Sequence, residues 1–417
     1  MIENGLIDRL LGRRLPSPDQ NRLVVLTGAR QTGKTTLARR EYGALRYLNL
    51  DALEYRDQLR AVSSFGWGRA VGPAVLDEAQ KLPEVFEKLK YAFDEGQVRF
   101  SVLLGSAQIL LLKQVRETLA GRAFPYELWP LMPCELAAGP GGTCAPPLLG
   151  KLIEPGDLDR VLSGEPEVIV GADAGLRRDA EQYLLAWGGM PALLPLDNDG
   201  RREWLKAYEI TYLERDLADL SRLSDLEPFR KFQQLAALRS GQLLNYSELA
   251  RDSGVSVETA RRYLEYLRVS YQAWLLQPYS RNLTSRLVKT PKLYWVDPGL
   301  WRQMTGTFGT VSGPLFETFV ASEVLKCLSA LRSDARPSFY RTRSGMEVDL
   351  LLETAGGVLG MEIRIAERVT ASDASVLNRL AAVLGEEWRG GLVIYRGEKI
   401  ERLGPRTWAV PSWRLLS

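Results

Sequence analysis

A chain of 417 residues with 45% hydrophobic and 25% charged residues has the make-up of an ordinary globular protein but is too long for a single core, so two or three domains are expected. Its net charge of +3 is too small by itself to argue for a nucleic-acid partner. The absence of histidine excludes Ser-His-Asp and Cys-His catalysis and His-ligated zinc, which leaves Asp, Glu, Lys or Tyr as the general base. Cys134, Cys144 and Cys327 form no C-x-x-C spacing, as expected of a reducing, cytoplasmic setting without a disulfide framework. No apolar run reaches membrane-spanning length, and no export signal opens the chain, so no membrane partner is expected.

The elements begin with a helix and loop up to about residue 22. The apolar segment Leu23-Val24-Val25-Leu26 then reads as a buried parallel strand. It runs into Gly28-Ala29-Arg30-Gln31-Thr32-Gly33-Lys34-Thr35, a full G-x-x-x-x-G-K-[ST] match, with Thr36 opening a helix behind it. The glycines let the backbone N–H groups curl around phosphates, Lys34 reaches the β- and γ-phosphates, and the Thr35 hydroxyl holds Mg2+. The helix N-terminus adds to the attraction for anions. ATP and Mg2+ are therefore the expected cofactors.

Further strands are expected in "LRYLNLD", "PAVLDEA", "FSVLLGSA" and "FPYELWPL", with helices such as "LPEVFEKLKYAFDEG" between them. This rhythm predicts an α/β fold: a parallel sheet with helices on both faces, over 1–138. "AVLDE" ends in two carboxylates 43 residues after Lys34. Asp77 is expected to orient Mg2+ and Glu78 to polarise the attacking water. Ser106, with Gln108 as the alternative, closes the next strand where a polar group can reach the γ-phosphate or that water. Arg122, with Arg116 as the alternative, lies at the sheet edge, either as an arginine finger for a neighbouring subunit or as a surface ion pair.

"GARQTGKTTL", "AVLDEAQKLP", "LLGSAQ" and "LAGRAFPYELWPLMPCEL" together resemble the prokaryotic AAA+ ATPases that carry a C-terminal domain of unknown function; "YLERDLADL" and "GPLFETFVASEVLK" match that second domain. The resemblance spans about 20 to about 370. It implies a homo-oligomer that forms a ring, such as a hexamer.

Past the Pro- and Gly-rich "AAGPGGTCAPPLLG", apolar residues at helical spacing predict a helical lid over 150–226 with its own small core. Over 227–300, "NYSELARDSGVSVETARRYLEYL" reads as a helix-turn-helix, capped by Ser247 and Ser256 and turned at Gly254, in a winged-helix-like unit. Arg261, Arg262 and Arg268, with Arg281, Arg286 and Lys289 beyond, form a basic stretch interleaved with Tyr263, Tyr266 and Tyr271. That stretch is either a DNA-binding face or a solvated one.

An α/β domain over 301–417 completes the chain. Asp349 and Glu362 fall on two strands of a hairpin, with Glu317 on the preceding helix, and can hold Mg2+ through oxygen ligands. The pattern resembles a restriction-endonuclease-like core, D…E-x-K, except that Arg364 stands in the lysine's place. Arginine keeps its proton and cannot act as a base, so weak or lost cleavage is expected.

Overall fold

The computed structural model describes residues 5–105, 111, 115, 117–220, 226–280, 290–342 and 344–417, with backbone alone over 211–220. Five strands, β1 (Arg22–Thr27), β2 (Arg46–Asn49), β3 (Ala74–Asp77), β4 (Phe100–Leu104) and β5 (Ala123–Glu127), form one sheet in the order β2-β3-β4-β1-β5. Every pairing in it is parallel.

The strands read as unbroken apolar runs because both faces are covered. Leu23, Val25, Leu76 and Leu103 pack with Val85, Phe86 and Leu89 of the helix Glu84–Asp94. The alternate residues Val24, Leu26, Val75 and Val102 pack with Leu10, Leu11 and Leu37 on the other face. The order puts β4 between β3 and β1, so the carboxylate pair, the end of β4 and the phosphate loop share one sheet edge.

Helices Ala172–Trp187 and Asn198–Leu220 follow. The expected separate core for this segment is not what forms. Leu184, Leu185, Leu193 and Leu205 are continuous with downstream apolar residues from Phe229 to Leu416, while Val348, Leu351, Leu377, Leu380 and Val393 form a core of their own on the other face of the C-terminal sheet. Gly189 is pressed against the segment that leaves β5: Leu131 N donates to Gly189 O at 2.7 Å, and a Cβ on Gly189 would stand 2.3 Å from Leu131 O.

The next unit runs helix Glu227–Leu238, β6 (Gln242–Leu243), helices Tyr246–Ser253 and Val257–Val269, then β7 (Ala273–Leu276) and β8 (Lys292–Trp295). Its strands are antiparallel in the order β6-β8-β7. Gly254 takes a left-handed φ of 74° and Ser256 caps the second helix through Thr259 N, as expected. The first helix is capped by Asn245 and not by Ser247: Asn245 Oδ1 accepts from Ser247 N and Glu248 N. An Asn side chain accepts these bonds as readily as a serine, so the cap moves two residues upstream.

Helix Gly313–Leu331 leads into a mixed sheet of β9 (Arg336–Arg341), β10 (Glu347–Thr354), β11 (Gly357–Arg364), β12 (Trp388–Tyr395), β13 (Glu401–Gly404) and β14 (Thr407–Pro411). The order is β13-β14-β12-β11-β10-β9, with β11, β12 and β14 mutually parallel. Where the helix ends, Arg332 donates to Pro125 O at 2.7 Å, closing it onto the β5 edge of the first sheet.

Candidate nucleotide site

Thr27 ends β1 and the chain turns at once. Gly28 has φ 146°, and a Cβ there would lie 2.1 Å from Leu128 O, so no other residue fits. Gln31 (φ 61°) and Gly33 (φ 93°) take left-handed conformations that curl the loop before the helix Lys34–Glu41 begins. Thr32 Oγ1 donates to Ala29 O at 2.9 Å, pinning the curl from inside. Lys34 is buried, and its Nζ donates to Gly28 O at 3.0 Å and Ala29 O at 2.7 Å.

The threonine of the loop and the carboxylate of β3 converge. Thr35 Oγ1 donates to Asp77 Oδ2 at 2.7 Å, and the Tyr47 hydroxyl donates to the same oxygen at 2.6 Å. Burial, reinforced by the bond to Asp77, pushes the Tyr47 phenol up to about 12, so it stays a donor. Arg39 lies 4.0 Å over its ring. Asp77 Oδ1 accepts from Glu78 N at 3.0 Å. Glu78 adopts φ 52°, and its Oε2 accepts from Gln80 Nε2 at 2.6 Å.

Two features of this site escaped the sequence reading. Arg9 is buried behind the loop, where its guanidinium donates to Thr32 O (2.7 Å), Trp129 O (2.5 Å) and Glu135 Oε2 (3.0 Å). Glu135 in turn accepts from Leu10 N and Met132 N. Beside it lies an apolar cavity of about 470 Å³ between Leu6, Ile7, Leu37, Leu131, Pro191 and Leu194, backed by Gly33 and Thr36. A cavity of that size and lining, opening on the phosphate loop, suits a nucleoside base. The only signals were the apolar residues of "GLIDRLL" ahead of the first strand and the Pro-flanked "PALLP".

Ser106, Gln108 and Arg116 lie outside the described residues. Arg122 holds Asp94 with two bonds, Nε to Oδ1 at 2.5 Å and Nη2 to Oδ2 at 2.9 Å, so its guanidinium is engaged within its own chain.

Arg261, Arg262 and Arg268 are exposed on the helix Val257–Val269. Arg261 stacks 4.6 Å over Tyr246, and Arg268 pairs with Glu265 at 2.7 Å. The tyrosines are not interleaved with them on one face. Tyr263, Tyr266 and Tyr271 are at most 9% exposed and belong to the core. Arg281, Arg286 and Lys289 lie outside the described residues. Tyr271 serves a junction instead: its hydroxyl donates to Thr27 Oγ1 at 2.8 Å, and its ring stands edge-on to Trp129 at 5.0 Å.

In the C-terminal part Asp349 Oδ2 accepts from Ile363 N at 2.9 Å, while Glu362 Oε1 pairs with Arg364 at 2.7 Å. Burial raises both carboxyls above the ordinary carboxylate range, reinforced by Glu317 for Asp349 and by Asp349 for Glu362. The unforeseen member is Lys292 of β8, nearly fully buried, which pairs with Glu317 at 3.3 Å and Glu347 at 2.5 Å. Tyr294 donates to Glu317 at 2.7 Å. Among the described residues no group of three Cys, Asp or Glu side chains is placed to hold a metal ion. No helix among them is long and apolar enough to cross a membrane.

Comparison with known proteins agrees with the phosphate loop. Residues 20–137 match the family model of an AAA domain, while 177–310 and 312–415 match two domains of unknown function, DUF8612 and DUF4143. The uncharacterized proteins Rv2008c of Mycobacterium tuberculosis and Mb2031c of Mycobacterium bovis are each 29% identical over 406 residues, covering 95% of this chain and 81% of theirs. Among solved structures, a Walker-type ATPase of Pyrococcus abyssi is 17% identical, covers 70% of this chain and 94% of its own, and has a TM-score of 0.45. The Aeropyrum pernix ORC1 protein, solved in complex with DNA, is 13% identical over 71% and 88% of the two chains, with a TM-score of 0.28. The sheet order and the loop give the N-terminal part the parallel α/β fold of a P-loop ATPase, and residues 20–137 of it are what the AAA domain model matches.

Proposed function

We propose that the chain is an Mg2+-dependent ATP hydrolase that acts as a homo-oligomer and couples hydrolysis to binding or remodelling of DNA, branched or junction DNA included. The observation that carries the reading is the 2.7 Å contact of Thr35 Oγ1 with Asp77 Oδ2 beneath the phosphate loop. A hydroxyl and a carboxylate at that spacing are a hard-oxygen pair that suits Mg2+. Lys34 leaves its two loop carbonyls for the phosphates, and Glu78, one residue past Asp77, takes the proton of the attacking water. Gly28 to Thr36 cradle the phosphates and the cavity lined by Leu6, Ile7 and Pro191 takes the adenine. Arg122 exchanges Asp94 for the phosphate of a neighbouring subunit.

Arg261, Arg262 and Arg268 form the DNA face. Phosphate contacts of this type make binding steeply salt-dependent and nearly indifferent to sequence. The test is steady-state ATPase activity at low salt, alone and with single-stranded, duplex and four-way-junction DNA, using Glu78→Gln as the blank. Stimulation by one form, lost when Arg261 and Arg262 are reversed to Glu, is the expected result; a rate indifferent to every DNA rejects the DNA role.

A second reading, an ATP-controlled assembly switch acting on protein partners, is favoured by the engagement of Arg261 and Arg268 within the chain. It expects slow hydrolysis and a size change between ATP and ADP states. We assign no strand cleavage to Asp349 and Glu362, because permanently protonated Arg364 cannot serve as a base and Lys292 brings a cation of its own to the cluster. Mg2+-dependent cutting that disappears in Asp349→Ala would overturn that assignment.

A further inference from the structure

Gln80 sits two residues past Glu78, on the single 3₁₀ turn Ala79–Lys81. Its amide is used on one side only. Nε2 donates to Glu78 Oε2 at 2.6 Å, whereas Oε1 is buried with no hydrogen-bond partner among the described residues. An acceptor left buried and unpaired costs about 1–3 kcal/mol, so the orphan oxygen needs an explanation.

Its position supplies one. Oε1 faces the end of β4, so closely that a Cβ on Gly105 would lie 2.5 Å from it. Because β4 separates β3 from β1, this oxygen stands at the sheet edge between the carboxylate strand and the phosphate-loop strand. Glycine at 105 leaves the amide that room. The left-handed Glu78, a conformation unfavourable for a side chain of its size, folds the chain back so that residue 80 returns to residue 78.

We propose that Gln80 is a second water-holding residue of the ATPase: Oε1 accepts one hydrogen of the attacking water while Glu78 accepts the other. The inference rests on the hydrolase reading given above. In the step, the water oxygen forms a bond to the γ-phosphorus and the bond from that phosphorus to the β–γ bridging oxygen breaks. ADP leaves with the electron pair, and the water's proton passes to the Glu78 carboxylate. A carboxamide gives a hydrogen bond to the base through its NH2 and takes one from the water through its oxygen at the same time.

The test uses the full chain and compares single-turnover ATP hydrolysis, equilibrium binding of a fluorescent ATP analogue, and thermal midpoint for wild type, Gln80→Ala, Gly105→Ala and Glu78→Gln. Gln80→Ala is expected to slow hydrolysis on the order of tenfold to a hundredfold, the range for a positioned proton-transfer partner, with analogue affinity and midpoint unchanged. Gly105→Ala, whose methyl displaces Oε1 and also meets Leu111 Cδ2 at 3.0 Å, is expected to slow hydrolysis alike, with analogue affinity unchanged and a lowered midpoint. Wild-type turnover in Gln80→Ala beside a dead Glu78→Gln rejects the role of Gln80 and leaves the hydrolase reading intact. Equal loss of rate, affinity and midpoint also rejects it, in favour of a purely structural turn. Normal turnover in Glu78→Gln overturns the underlying assignment of the base itself.

Discussion

Tyr271 and Thr27 stand 244 positions apart along the chain, and their hydroxyls meet at 2.8 Å. Thr27 is the last residue of β1 and Gly28 opens the phosphate loop, so a side chain that follows the arginine-bearing helix rests one residue from the phosphate cradle. Tyr271→Phe removes that bond and keeps the ring against Trp129. A loss of about 0.5–1.5 kcal/mol is expected in urea unfolding, the usual net worth of one buried hydrogen bond. Unchanged stability would mean that Thr27 finds a new partner.

The loop residues divide binding from turnover. Lys34→Ala is expected to abolish ATP binding in a filter or fluorescence assay. Glu78→Gln is expected to bind ATP as wild type does and to hydrolyse none, because an amide cannot take the water's proton. Hydrolysis by Glu78→Gln at the normal rate would show that another group is the base.

Arg9 and Glu135 are 7% and 1% exposed, a buried ion pair whose remaining polar atoms are also satisfied. Removing one member leaves the other charge uncompensated. Arg9→Met is therefore expected to destabilise by roughly 3–5 kcal/mol, and the pair Arg9→Met with Glu135→Leu by much less. Chemical denaturation of the single and double variants measures the difference. Equal losses would mean that the contacts to Thr32 O and Trp129 O matter more than the pairing.

Lys292 offers a parallel case in the second half. Its ammonium joins β8 to Glu317 and to Glu347 of β10, and Lys292→Met strands those carboxylates. A loss of about 3 kcal/mol or more is expected, read as a lowered thermal midpoint. A neutral outcome would show that Arg341, which pairs with Glu347 at 3.1 Å, and Tyr294 suffice.

Stability should also depend on pH through Glu181, which burial raises to about 7 against the lowering effects of the Ser412 hydroxyl and Arg396. The unfolded carboxyl titrates near 4.3. Between these values the folded chain holds a proton that the unfolded chain has released, so stability is fully present below about pH 4.3 and declines as pH rises toward 7. The decline amounts to roughly 4 kcal/mol at about 1.4 kcal/mol per unit. Glu181→Gln, neutral throughout, should flatten that part of the stability curve; an unchanged slope would place the titration elsewhere.

What the sequence disclosed follows the range of each interaction. The loop and the carboxylate pair were legible because their chemistry lies within short runs of neighbours, and the β-strands because burial on both faces leaves unbroken runs such as "LVVL". Arg9 and the cavity beside the phosphate loop were not, since the cavity joins residues 6 and 194, which no spacing connects. Lys292 was hidden for the same reason. The tyrosines are different, because the information was present. Ala260, Tyr263, Leu264 and Leu267 fall at i, i+3, i+4 and i+7, which assigns Tyr263 to the apolar stripe. The lopsided charge of the segment drew attention from that period.

The clasp made by Arg9 bears on where this protein can be cut. The match to the AAA domain begins at residue 20, and a fragment started there would retain every signature residue from Gly28 to Glu78. It would also lack Leu6 and Ile7, one wall of the cavity beside the phosphate loop, and the guanidinium that supports Thr32. Such a fragment would keep a full signature and still handle nucleotide poorly, because the working boundary of the site lies upstream of the recognisable one.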